Sequence, residues 1–211
     1  MRLLRPFTGT GAVFFPVGIP PIGTCYFATP SCLHLCYAID PDDANFDEDL
    51  RISEFAKGEI KSYFILKEVD IICAKIIENL DGLQTSILHW FGSGDCSLEL
   101  VSKISSIIKF LPKDIIQMGF TRNKKLWKKH KDIFALTIET KEEAIDKDAL
   151  YSIPNYKEQV SMMYSPLYQV RGGYCGPLIC RDISRDRRDL EHYINCRTCL
   201  RLKTGCFDRR N

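Results

Sequence analysis

Apolar residues along this chain alternate between unbroken runs and a helical period. Residues 12–17 (AVFFPV) form a compact apolar run, expected as a strand, that breaks at Gly18, Pro20 and Pro21. Residues 40–49 are an acidic turn region. From about residue 50 to residue 80, Phe55, Ile60, Phe64, Ile65, Val69, Ile72, Cys73, Ile76 and Ile77 recur mostly at three- and four-residue steps. That spacing predicts helix, with Gly58 as the expected dividing point. Residues 86–92 (SILHWFG) read as a buried strand that ends in the small-residue turn Ser93-Gly94-Asp95. Residues 98–111 read as an amphipathic helix stopped by Pro112. A second strand is expected over 115–121, a short basic helix over 123–131 and a third strand over 132–139. Residues 141–150 predict a further helix, and 158–164 a further strand.

Strands and helices that alternate through short connections predict βαβ units and a mostly parallel sheet. The fold class expected is therefore α/β, with too few strands for a closed eight-fold barrel: a partial barrel or an open sheet fits the length, and the form expected is a partial (β/α) barrel of about five or six mostly parallel strands. This pattern occupies residues 1–166. Residues 167–211 are rich in Cys, Arg and Gly and poor in apolar residues. They are expected as an irregular extension that folds around a bound ion or cluster.

Charge narrows the function little. The 29 basic and 27 acidic residues leave a formal net charge of +2, which gives no argument for nucleic acid or an anionic membrane. No apolar run approaches bilayer-spanning length. Pro6 and Pro16 interrupt the N-terminal apolar patch where a secretory signal needs continuity, so a cytoplasmic protein without a membrane partner is expected. Ten cysteines change the picture. They are clustered, three within 25–36 and five within 175–206, with Cys73 and Cys96 apart. In a reducing compartment such clusters point to metal or iron–sulfur ligation instead of disulfides.

The first cluster lies in GTCYFATPSCLHLCYA at 23–38, where Cys25, Cys32 and Cys36 are spaced C-x6-C-x3-C. A closed zinc site needs four ligands. His34 would be the fourth, though it sits only two residues from each neighbouring cysteine. Three thiolates can instead hold a [4Fe–4S] cluster with one iron open to a small chelating ligand. The loop C-x6-C-x3-C-Tyr-Ala, following a short strand, resembles the cysteine loop of phage-type radical-SAM-like iron–sulfur proteins. The strand ends FGSGD at 91–95 and GFTRN at 119–123, together with the cysteine-rich C-terminus, are similar to segments of that group.

The resemblance implies S-adenosylmethionine (SAM) as cofactor, bound at the open iron. It also implies cleavage of SAM to a 5′-deoxyadenosyl radical that acts on an unknown substrate, with electrons from an external donor. Ser93, Gly94 and Asp95 would meet the methionine end, Asp95 accepting its ammonium. Arg122 would pair with its carboxylate, and Thr121 and Asn123 would bond the ribose. Beside these roles stands a plain one, in which Gly94-Asp95 is a turn into a helix capped by Ser97.

In the C-terminal cluster, Cys196-x2-Cys199 has ligand-pair spacing. Cys180 and Cys206 complete a set of four, with Cys175 competing for either place. Four thiolates suit a second [4Fe–4S] cluster or an all-thiolate zinc site. Cys73, on an apolar helix face, reads as a packed thiol. Cys96, at a strand end, is a weak candidate for a catalytic group. His89 is expected as a hydrogen-bonded interior residue. The stretch NKKLWKKHK at 123–131 interleaves Trp127 and His130 with lysines, as a nucleic-acid face or, more simply, a solvated helix. The competing functions are therefore a zinc- or iron–sulfur-stapled binding module without catalysis and a SAM-independent electron-transfer protein.

Overall fold

The computed structural model describes residues 1–7, 10–30, 33, 53–137, 150–153, 179–180, 193–194 and 206–207. Strands β1 (Leu4–Phe7) and β2 (Thr10–Phe14) form an N-terminal antiparallel hairpin. Helices α1 (Glu54–Leu66) and α2 (Val69–Gly82) lead to β3 (Ile87–Ser93). A 3-10 turn, Leu98–Leu100, runs into α3 (Val101–Phe110), followed by β4 (Ile116–Thr121), α4 (Lys124–Lys129) and β5 (Phe134–Thr137). Short strands β6 (Leu150–Ile153), β7 (Ile179–Cys180), β8 (Tyr193–Ile194) and β9 (Cys206–Phe207) complete the order.

One sheet runs β1-β2-β3-β4-β5-β6-β9, parallel throughout except for the β1–β2 hairpin; β7 and β8 form a separate parallel pair. The expected α/β class with a mostly parallel sheet is therefore observed, as an open sheet. Strand order follows chain order, so every crossover steps in the same direction. With the right-handed connection such units adopt, this winding puts the crossover helices on a single face. The packing agrees. Ile60 and Phe64 of α1, Ile72, Ile76 and Leu80 of α2, Ile104 and Ile107 of α3 and Trp127 of α4 share one core with Val13, Leu88, Trp90 and Phe134 of the sheet. The opposite face carries Ala12, Phe14, Ile87 and Met118, in separate small clusters.

Several boundaries differ from expectation. The helix over 50–80 does not divide at Gly58, whose missing side chain faces open space inside α1. An interior glycine costs about 1 kcal/mol against alanine, less than the gain from burying Ile60 and Phe64 on the same helix. The break falls at Lys67 and Glu68, both extended. Strand β1 was not expected, because LRPF shows no alternation that marks it. Leu150, expected at a helix end, instead opens β6. The expected helix over 141–149 and strand over 158–164 lie outside the described residues. Among the described residues no helix is long and apolar enough to cross a membrane.

Within β3 the pairing with β2 slips, from Ala12↔His89 to Phe14↔Ser93, so two steps on β2 match four on β3. Phe91 takes φ 58° there, a region a bulky residue rarely enters. The bulge lets Trp90 and Phe91 both enter the helix-side core, Phe91 lying 5.7 Å from Phe134 and 5.9 Å from Phe15 between ring centres. It also re-aims the end of β3 toward the segment that follows β2.

Candidate functional site

Parallel strands point their carboxyl ends to one edge of the sheet, where ligands of such folds bind. Three candidate stretches arrive there: the segment after β2, the end of β3 and the end of β4. After β2 the chain turns back on itself through Gly18–Gly23. Thr24 N–H donates to Pro16 O at 3.0 Å and Cys25 N–H donates to Gly18 O at 2.9 Å. Lys61 of α1 donates to Pro21 O at 3.0 Å. Cys25 is thus set, half-buried, in a loop fixed by its own backbone.

Side chains from the other two strand ends grip this loop. Ser93 Oγ donates to Phe15 O at 2.9 Å. The hydroxyl of Thr24 donates to Pro16 O at 3.0 Å and accepts from Asp95 N–H at 3.1 Å. Arg122 Nε donates to Phe27 O at 3.1 Å. The bare face of Gly94, expected to admit a ligand, is filled by the chain itself. A Cβ there would stand 2.6 Å from Thr24 Oγ1 and 2.9 Å from Phe15 O, and its φ is +72°. Gly94→Ala should therefore cost about 2 kcal/mol, read from urea unfolding midpoints; a loss under about 0.5 kcal/mol would mean the loop is not seated on this turn.

Asp95 is the hub. Its carboxylate is buried and accepts three hydrogen bonds: Cys96 N–H at 2.6 Å and Thr121 Oγ1 at 2.5 Å on one oxygen, Arg122 N–H at 2.8 Å on the other. Burial raises its pKa to about 6, against the lowering pull of those bonds and of the Arg122 guanidinium. Thr121 Oγ1 in turn accepts from Asn123 N–H at 3.0 Å. Asn123 caps α4, its Oδ1 accepting from Lys125 and Leu126 N–H, while its Nδ2 donates to Cys96 O at 2.8 Å. Thr121 and Asn123, expected near a ribose, thus join β3 to β4. Ser97 begins the 3-10 turn as the plain reading expected, without a side-chain cap bond.

Cys96 is fully buried, its thiol pushed far up by burial and by the neighbouring Asp95 charge. That opposes the thiolate a nucleophile needs, and the residue lies within the shared core. Cys73 is buried as expected, with burial and Asp70 raising its pKa to about 11. Trp127 is buried, so the aromatic of the lysine-rich stretch faces the core and not the surface.

His89 departs from expectation. It is interior, but neither ring nitrogen has a hydrogen-bond partner among the described residues. Burial lowers its pKa to about 4. Cys32, Cys36, His34, Cys175, Cys196 and Cys199 lie outside the described residues. Cys180 falls on β7 and Cys206 on β9, the latter paired with Ser152 of β6. Among the described residues no three metal-ligating side chains come together. Sequence reasoning missed Thr24 and Phe27, which fasten the loop; the threonine beside the first cysteine was the available signal.

Compared with family models, with curated proteins and with solved structures, the chain matches none.

Proposed function

We propose that the chain is a radical-SAM-type iron–sulfur protein built on a partial barrel, acting on an unidentified substrate. The observation that carries this reading is the pinning of the Cys25 loop across the ends of β3 and β4, through Thr24 to Asp95 and through Arg122 to Phe27. Sequential strand order and one-sided helices favour the partial-barrel form of the sheet. A half-buried thiol in a loop fixed by backbone hydrogen bonds fits a thiolate ligand of a cluster. Cys32 and Cys36 would supply the remaining two. Bound there, such a cluster supplies the electron that splits a carbon–sulfur bond of SAM.

The chain's own residues then have distinct tasks. Arg122, reaching from the β4 end to the loop, would orient the methionine carboxylate. Asp95, with both oxygens already engaged by its own chain, is a positioning residue in this reading, and so are Thr121 and Asn123. Ser93 and Gly94 set the β3 end against the loop. Cys180, Cys196, Cys199 and Cys206 would hold a second cluster or a zinc ion.

The test is iron, acid-labile sulfide and zinc content per chain after anaerobic purification. Wild type is compared with Cys25→Ala/Cys32→Ala/Cys36→Ala. The reading expects loss of one four-iron complement in the triple variant, and a change in the paramagnetic spectrum of reduced wild type when SAM is added. Equal iron in both proteins, or zinc alone, overturns it in favour of a stapled binding module; a cluster indifferent to SAM leaves plain electron transfer.

A further inference from the structure

The face of the sheet opposite the shared helical core carries two side chains with buried nitrogens that have no hydrogen-bond partner among the described residues. Register places Arg5 of β1 opposite Ala12 of β2, Ala12 beside His89 of β3, and His89 beside Met118 of β4. Residues directly paired across a sheet share a face, so these four form one row. His89 is 2% exposed, with Nδ1 and Nε2 both unpartnered among the described residues. The Nε of Arg5 is also buried, again without a partner among the described residues. The imidazole lies between two phenyl rings, Phe7 at 5.2 Å and Phe120 at 5.7 Å, and Phe14 packs 5.9 Å from Phe7.

Leaving such groups unmet costs about 1–3 kcal/mol each. Native structures rarely retain that cost without a use for it. Here two N–H donors stand in one row, and the rings beside them are apolar and planar. The complement of two donors is an acceptor, and beside a guanidinium an anionic one. The complement of the rings is a flat apolar body, which phenyl faces and edges pack well. We infer that this row is a binding site for a small organic carboxylate with a planar apolar body. Arg5 and His89 would hold the carboxylate, with Phe7, Phe14 and Phe120 around the ring. Four residue steps carry β3 from His89 to the strand end at Ser93, about 13 Å along the strand, so the site is distinct from the Asp95 network. The inference does not rest on the iron–sulfur reading.

The inference also explains why the histidine is buried uncharged. Burial alone favours neutral imidazole. A bound carboxylate would favour the imidazolium, so binding should draw a proton onto His89 between about pH 4 and 6.5. The experiment titrates the full chain with benzoate and follows the imidazole resonances in long-range 1H–15N spectra. His89→Phe identifies the His89 signal among the four histidines. Saturable movement of that signal is expected. Arg5→Met, a half-exposed position that should tolerate the change, should weaken binding about tenfold. Benzamide, of the same shape but uncharged, should bind about tenfold more weakly too. An unmoved His89 signal at about 50 mM benzoate, well above a millimolar Kd, would overturn the inference. So would an Arg5→Met protein, native by circular dichroism, that titrates like wild type, or benzamide binding as well as benzoate.

Discussion

Asp95→Leu is expected to destabilise the protein by about 3 kcal/mol and to lower Tm by roughly 10 °C. The leucine is close in size, so no large cavity is made. What it removes is the acceptor for Thr121 Oγ1, Arg122 N–H and Cys96 N–H. Each buried donor left unmet costs about 1–3 kcal/mol, so even the low end sums to about 3. That is a large share of the 5–15 kcal/mol that holds a typical domain together, and each kcal/mol shifts Tm by about 2–4 °C at this size. The measurement is urea and thermal unfolding of both proteins at about pH 5, where the buried carboxyl is still largely protonated, without added cofactor. The result decides between two roles for one carboxylate. A group held ready for a ligand's ammonium contributes little to the ligand-free fold, so a loss under about 1 kcal/mol would restore Asp95 to the binding role. Thr121→Val should give a smaller loss, since it deletes one donor to Asp95 and one acceptor for Asn123 N–H.

The sheet was legible because its signals are local. The runs over 86–92, 115–121 and 132–139 are short, apolar and bounded by turn residues, and β3, β4 and β5 lie within a residue or two of each. The helix over 98–111 carried its own stop in Pro112 and ends at Phe110. The places where reading by period failed are those where tertiary contact decides. Gly58 is tolerated because α1 buries Phe64 in the shared core. Phe91 turns to that core through a bulge that no spacing announces. Leu3 and Leu4, which begin the hairpin, are held by Asn79 of α2 at 2.8 and 3.1 Å, a contact across more than seventy residues.

The site divides in the same way. That FGSGD, GFTRN and the first cysteine loop meet at one edge follows from parallel strands, and could be read from sequence. Which of their side chains face a ligand and which bond to one another could not. Asp95, Thr121 and Asn123 have the residue types expected of a ligand shell, and their hydrogen bonds turn inward. His89 shows the converse. An interior histidine in a strand gives no sign in sequence that its nitrogens go unanswered.

Those two buried groups, Asp95 and His89, should give the protein a pH response that only variants reveal. His89 has a folded pKa of about 4, below the ordinary 6.5. The unfolded chain therefore binds the extra proton, and the stability of neutral His89 is fully present above about pH 6.5 and lost as pH falls toward 4. At 1.36 kcal/mol per unit, the loss approaches about 3 kcal/mol. Asp95 runs the other way. Its folded pKa of about 6 lies above the ordinary 3.8. The folded chain holds the proton there, so the stabilisation is full below about pH 4 and is lost as pH rises through 6, again by about 3 kcal/mol. Over pH 4–6 the two slopes oppose each other. Their contributions to the wild-type profile largely cancel there, and His130, whose pKa burial also lowers, adds a slope of the same sign as His89. His89→Phe should remove one slope and leave a protein that gains stability on acidification from pH 7 to 4.5, relative to wild type. Asp95→Asn should do the reverse and lose stability faster than wild type over the same range. Urea midpoints at pH 4.5, 5.5 and 7 for the three chains measure both differences, and the contributions of all other groups cancel in the comparison. Parallel profiles for wild type and His89→Phe would place His89 in contact with solvent or a partner group, and would remove the ground for a ligand site on that face.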